Sequence, residues 1–318
     1  MKPLTKWWAS LLAVLGAALA MALLPGAASA APSGIWAPFD NCPLDDPRMQ
    51  DPNAQSVICL SATTNGGWMQ IGRTPIVSTD GAPVNVQFGI VMPEDASDPS
   101  EIVTVSQPDA IRATPVPVPG GLLGLAGEQA IERLLGSVPS VLRVHALVEQ
   151  AGPIRNFDLL GALTGTPVFE MPVKIHLLNP ILGDRCYIGS EADPIILRPQ
   201  WGPTDPPPPN EPIEGSPGEL GFDNAEGVPP EAGAGVIKQL GATMVDNTFS
   251  VPKARNCGPV IPLLNVGLLD AAINQRQTLP QQSGANTIVM EGNDSYLGGS
   301  GRTEDQTAYE ILRSLIEG

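Results

Sequence analysis

Aromatic side chains are scarce in this sequence, 4% of its 318 residues, and histidine occurs only twice, at His145 and His176. Lysine and arginine together number 17 against 33 acidic residues, a formal net charge of −16. A chain so short of positive charge lacks the basic face that nucleic-acid phosphates require, so no nucleic-acid partner is expected. It also lacks the means to dock electrostatically on anionic lipid. The acidity itself reads as a solubility device.

The usual catalytic signatures are missing too. "GGSG" at Gly298–Gly301 runs on into Arg302, so it fails as a serine-hydrolase elbow, whose final glycine is absent. No P-loop, dinucleotide fingerprint or H-E-x-x-H occurs. No C-x-x-C pair exists and neither histidine adjoins a cysteine, which removes the spacing of a zinc site. No metal and no cofactor is therefore expected. Paired carboxylates for a hydrolase stay open as an alternative, because their separation is spatial. The few aromatics weigh against that reading, since sugar-cleaving clefts stack their substrates on rings.

What is present begins at the N-terminus. Lys2 and Lys6 precede an apolar run from Ala9 to Leu24, which Pro25 and Gly26 break before Ala28 and Ala30. Residues 1–30 have the form of a secretory signal peptide cleaved after Ala30. The run is shorter than the ~20 residues a spanning helix needs, and no cysteine follows that could carry a lipid anchor. Loss of Lys2 and Lys6 would leave 15 basic against 33 acidic residues, a net charge of −18. No later segment offers a transmembrane run. The expected location is outside the cell or at the cell wall.

All four cysteines lie beyond that signal: Cys42, Cys59, Cys186 and Cys257. An even count in an exported chain reads as disulfides. Cys42–Cys59 with Cys186–Cys257 is the favoured pairing, because each pair closes a moderate loop. A loop of about seventy residues closed by Cys186 would stabilise by roughly 4 kcal/mol in the chain-entropy model.

Along the remaining chain, residues 31–56 form an irregular Pro- and Asp-rich lead-in, and 57–318 read as a single β-rich domain. Asn65-Gly66-Gly67 and Asp80-Gly81 predict two hairpin turns. Val84, Val86, Phe88 and Ile90 alternate as a half-buried strand, and residues 101–106 form another. The strongest alternation is Leu142, Val144, Ala146, Val148 and then Phe169, Met171, Val173, Ile175, Leu177. Pro172 predicts an edge or bulged strand there. His145 and His176 fall on the polar faces as solvated side chains.

The segment "GGLLGLAGEQAIERLLG" at residues 120–136 reads as a helix or turn covering an open end of the β core, or as an amphipathic piece that meets lipid or a partner. Its glycines weaken the helix. Residues 202–218, with four consecutive prolines, cannot pair in a sheet and are expected as a surface excursion straddled by the second disulfide. A short helix near Leu263–Gln275 and a strand at 286–291 follow. The chain closes as a helix with Thr303 as N-cap, Gln306 completing a capping box, and an apolar stripe of Ile311, Leu312, Leu315 and Ile316.

Two acidic clusters, Asp40/Asp45/Asp46/Asp51 and Glu291/Asp294/Glu304/Asp305, miss the D-x-[DN]-x-[DN]-G calcium pattern and read as solvated loops. Asn293 opens an N-x-S sequon. The expected architecture is mainly β: an antiparallel β-sandwich or barrel-like core with a few short helices and a C-terminal helix.

The phrases "LLNPILGDRCYIGSEADPI" and "FSVPKARNCG…LLNVGLLDAAIN", within residues 130–290, resemble uncharacterised secreted proteins of actinobacteria. That resemblance implies an exported, cell-envelope-associated protein and carries no catalytic residue across. The leading expectation is a secreted, non-catalytic binding or structural module whose partner is an envelope component, a lipid or a protein. The alternatives are a lipid-binding or lipid-transfer protein with an apolar cavity, and a carboxylate-based extracellular hydrolase.

Overall fold

The longest extended run, β1 (Ser56–Ile71), turns Val57 and Cys59 to one side and Ile58, Leu60 and Ala62 to the other, and both sides are covered. A period of two with two apolar faces makes a central strand of a layered fold. The structure is a computed structural model and describes residues 31–78, 81–94, 101–122, 124–261 and 266–318. The expected signal peptide of residues 1–30, Asp80 of the expected second turn and residues 262–265 of the expected short helix lie outside the described residues.

After β1 the described elements are β2 (Thr74–Ser78), β3 (Val84–Met92), β4 (Val103–Val105), β5 (Ile111–Ala113), β6 (Val116–Val118), α1 (Leu125–Leu135) and β7 (Val144–Gln150). There follow α2 (Leu159–Thr164), β8 (Met171–Leu178), β9 (Tyr187–Ile188), β10 (Ile195–Leu197), β11 (Glu219–Asn224), β12 (Gly235–Asp246) and β13 (Ala254–Arg255). The chain ends with β14 (Val260–Ile261), β15 (Val266–Gly267), α3 (Asp270–Gln277), β16 (Thr287–Gly301) and α4 (Ala308–Glu317).

The fold is mainly β. One sheet has the order β11-β12-β16-β1-β3-β4, with β2 also paired to β1 and β5 to β3. The second has the order β13-β9-β8-β7-β6, with β10 on β8. Ladder pairing is antiparallel in both. The two sheets pack through Leu60, Phe88 and Ile90 of the first against Val173, Ile175 and Leu197 of the second. Phe88 sits at the centre, edge-on to Phe169 at 5.3 Å and to Phe157 at 6.2 Å between ring centroids.

The opposite face of the first sheet is covered by the lead-in and the C-terminal helix. A 3-10 turn at Gly34–Phe39 delivers Trp36 and Phe39, and α4 delivers Leu312 and Ile316, onto Val57, Cys59, Val91 and Val236. Each such side chain contributes about 1.5–3 kcal/mol by leaving water. The architecture is thus a sandwich with a third, thinner layer.

Four local expectations are overturned. Asn65-Gly66-Gly67 does not turn: β1 runs straight through, with Gly66 opposite Glu291 and Gly67 opposite Met290. Gly67 has φ +122°, and a Cβ there would run into the Val289 carbonyl oxygen, so glycine serves close approach of β16. The turn falls at Gly72-Arg73, closed by the pair Ile71↔Thr74. Nor do β2 and β3 form a hairpin with each other; they lie end to end along the same edge of β1.

Pro172 stands in a strand flanked on both sides, by β7 and by β10. Its missing N–H is tolerated because the β7 ladder ends one residue earlier, at Gln150↔Val173. The closing capping box is one turn later than expected: Thr307 Oγ1 accepts the Glu310 N–H at 3.2 Å, and Glu310 accepts the Thr307 N–H at 3.0 Å. Thr303 and Gln306 instead bond to each other in the preceding turn.

The Pro-rich stretch 202–218 is laced to the body. Asn210 Nδ2 donates to the carbonyls of Asn247 and Asn286, and Ser216 bridges to Thr243. Both ends are anchored and prolines 207–209 stay exposed.

Disulfides join Cys42 to Cys59 and Cys186 to Cys257. The first pins the lead-in to the sheet. The second ties β9 to the end of β13, a ladder of only two residue pairs, Ala254↔Ile188 and Arg255↔Tyr187. So short a ladder is marginal without support. Two disulfides are the chemistry of an oxidising compartment. Among the described residues no helix is long and apolar enough to cross a membrane.

Candidate functional site: an apolar cavity between the sheets

The sheets do not close on each other everywhere. At the end where β2 faces β8 and β9, a cavity of about 290 Å³ remains, walled by aliphatic side chains such as Ile76, Val144, Ile175, Leu177 and Ile188. Its size is at the lower limit of ligand pockets, about 300 to 1,000 Å³. Two smaller voids continue inward between the sheets. One of about 90 Å³ shares Ile76 and Ile175 with the first, and one of about 50 Å³ shares Thr64, Val84, Met171 and Met290 with the second. Native cores leave few voids larger than a water molecule. A string of apolar space on this scale is a feature of the fold, not ordinary packing slack.

The cavity is wide because local sequence holds its walls apart. Val118, Gly121 and Leu122 form one side, on a loop whose Gly121 takes φ +44°. The Leu122 N–H donates to the Leu142 carbonyl at 3.0 Å. The other side is α3, from which Ala272, Ile273, Arg276 and Gln277 reach the space. That helix is seated by Asp270, whose carboxylate accepts the Cys257 N–H at 2.7 Å and the Gly267 N–H at 2.9 Å. The Cys186–Cys257 bridge, both residues fully buried, therefore fixes the foundation of the cavity wall.

The rim is partly wet. Ile181 lines the cavity and is 43% exposed. One corner is polar: Arg276 Nη1 donates to the Leu122 carbonyl at 2.6 Å, and Gln277 Nε2 donates to Thr74 Oγ1 at 3.0 Å. The Gln277 Oε1 atom is buried with no hydrogen-bond partner.

Helix α1 belongs to the segment expected as a cap, and it does not line this cavity. Its lead-in loop does the closing, while none of the helix's own residues is buried. Leu125, Leu134 and Leu135 are 58%, 77% and 60% exposed. A polar cleft separates the helix from β7, with Glu128 and Glu132 on one side and Arg143 and His145 on the other. The helix is tethered by Glu128, which accepts the Gly120 N–H.

Comparison with protein-family models, curated proteins and solved structures returns no match.

Other residues singled out in the sequence occupy defined places. His176 is not solvated: its side chain is 13% exposed, stacks on Tyr187 at 4.3 Å, and its Nδ1 lies 2.9 Å from Glu149 Oε1. Burial and the adjacent Glu149 carboxylate hold the Tyr187 hydroxyl above its ordinary value. No serine, threonine or cysteine is hydrogen-bonded to this cluster among the described residues. It fastens β7, β8 and β9 on the outer face of their sheet.

Several of the clustered acidic side chains face donors of their own. Asp46 chelates Arg48, which lowers its carboxyl to about 2, and Asp40 meets Gln87 and Arg112. Asp294 accepts the Gly241 N–H. Among the described residues no three His, Cys, Asp or Glu side chains converge. Asn293 is 5% exposed and its Nδ2 donates to Thr64 Oγ1, so the sequon is inside the strand.

An apolar cavity was only an alternative in the sequence, and its walls could not be placed there because they come from segments far apart in the chain, from Ile71 to Gln277. The available signal was the glycine-rich segment 120–136, of which Gly121 and Leu122 line the space.

Proposed function

We propose that this protein is a secreted carrier for an apolar ligand, holding a single hydrocarbon chain between its two sheets. The observation that carries the reading is the cavity of about 290 Å³ with aliphatic walls and one polar corner. Apolar cavities exclude water and are filled favourably by hydrocarbon. The exposed leucines of α1 beside its closing loop support a role in meeting a lipid surface, where such side chains leave water. The disulfides support work in an oxidising space outside the cell.

Native mass spectrometry of protein purified from the cells that make it tests the reading. A co-purifying lipid mass is expected, and Ile175→Phe, which puts a ring into the wall shared by two of the voids, should lose it while staying folded. Protein found at its bare mass in every preparation, together with no displacement of a fluorescent hydrocarbon probe, would overturn the proposal.

A further inference from the structure

Among the described residues that line the apolar cavity, Arg276 carries the only charged side chain. A guanidinium carries five N–H donors and keeps its charge in any folded environment. Of these, one donor is used among the described residues, on the Leu122 carbonyl. Among the described residues no carboxylate lies within ion-pair distance of it, although the chain has 33 acidic residues. The group is half-buried, and a charge drawn away from water calls for a counter-charge. Polar capacity is thus concentrated at one corner of a space that is otherwise aliphatic.

That distribution is the shape of an amphiphile. Resting on the carrier reading above, we infer that Arg276 is the receptor for the anionic head of a single-chain lipid, a long-chain fatty acid. The guanidinium fork matches the two coplanar oxygens of a carboxylate. The narrow volume suits one chain and a small head. The same contact explains the latch on the closing loop. The guanidinium lies against Gly124, where a Cβ would stand 2.8 Å from Nη2, and it holds the Leu122 carbonyl from α3. The remaining donors can take a carboxylate while the Leu122 bond stays in place, so one side chain serves both the closing loop and the head group.

The test compares oleate with oleyl alcohol, which share a chain and differ in the head, by displacement of a neutral fluorescent probe from the full-length secreted protein. Wild type should bind oleate about tenfold more tightly than the alcohol, as a charge-assisted pair provides. Arg276→Gln should abolish the oleate preference, bringing the ratio of the two affinities to about one, whatever the loss of the Leu122 contact does to both. Equal binding of both ligands by wild type, or an oleate preference that survives in Arg276→Gln, overturns the anchor and leaves the carrier reading standing. Binding of neither ligand by wild type removes both. Where Arg276→Gln binds neither ligand, Arg276→Lys decides. An oleate preference retained there supports the anchor, and equal binding overturns it.

Discussion

The ring of Phe39 occupies the place a side chain at residue 298 would take: a Cβ on Gly298 would stand 2.5 Å from Phe39 Cζ. Gly298 is one cross-strand neighbour of Cys59, and Gly89 is the other, where a Cβ would meet Met49 Cε at 2.7 Å. The outer face of the sheet is bare on either side of the disulfide. The lead-in can therefore lie flat against it, and Cys42–Cys59 holds it there.

Gly298→Ala should accordingly destabilise the protein by about 1–3 kcal/mol through overpacking against Phe39 and Trp36. Urea unfolding reads this as a lower midpoint at an unchanged slope. A midpoint equal to wild type would show that the lead-in is not seated on the sheet.

Replacing both Cys186 and Cys257 by alanine opens a loop with a sequence separation of 71 residues. The loss expected from chain entropy is about 4 kcal/mol. Because Asp270 seats α3 on the Cys257 and Gly267 amides, hydrocarbon binding should fall with it. Denaturant midpoints and probe affinity that both match wild type would separate the bridge from the cavity wall.

Glu170 predicts a pH dependence. Burial works to raise its carboxyl, but hydrogen bonds from Arg155 and Arg198 outweigh burial and hold it below its ordinary value of 4.5. A carboxyl lowered in the folded state adds stability that is complete above the unfolded value and disappears as pH falls through the folded one. Glu170→Gln should cost about 1 kcal/mol at pH 7, a figure reduced for the solvent-screened arginines. The difference should vanish in acid. Melting curves of both proteins from pH 7 to pH 3 check this, and parallel curves would contradict it.

Asp246 carries the opposite sign. Burial raises its carboxyl above the ordinary 3.8, although the Arg198 and Thr248 amides and the Thr248 hydroxyl donate to it. Protons favour this folded state, so stability falls as pH rises from about 4 through the raised value. Asp246→Asn should flatten that part of the stability profile, and a variant keeping the wild-type slope would reject the assignment.

Helix α1 should be the least protected helix. It buries no residue, whereas β1 and β16 run side by side from Ser56↔Gly301 to Gln70↔Thr287. Amides of 128–135 are expected to exchange by local opening, far faster than those of β1 and β16. Hydrogen exchange followed by mass spectrometry settles the order, and equal protection would mean the helix is docked.

Much of the strand content was legible because apolar alternation is a local pattern. Phe88 and Ile90, or Met171 through Leu177, show their buried face by spacing alone. The stripe of α4 was readable for the same reason, though its cap slipped by a turn because Thr303 and Thr307 both offer the right hydroxyl. Strands β12 and most of β16 were not legible. Glycine, aspartate and serine in "GNDSYLGGSG" resemble a loop, and they are extended because β1 and β12 flank them. Asn65-Gly66-Gly67 failed in reverse: a turn-forming triplet is held straight by a partner that comes from more than two hundred residues away.

By itself the amino-acid sequence determined the β character, the buried faces of its best strands, the acidic surface and a cysteine count suited to crosslinking. These are properties of neighbours along the chain, where side-chain period and charge act at short range. Only the tertiary structure decided which strands adjoin, that the lead-in and α4 form a third layer, and that the sheets part around a cavity with Arg276 at its edge. Those outcomes depend on volumes shared by residues far apart in the chain, and a void has no residue of its own to announce it.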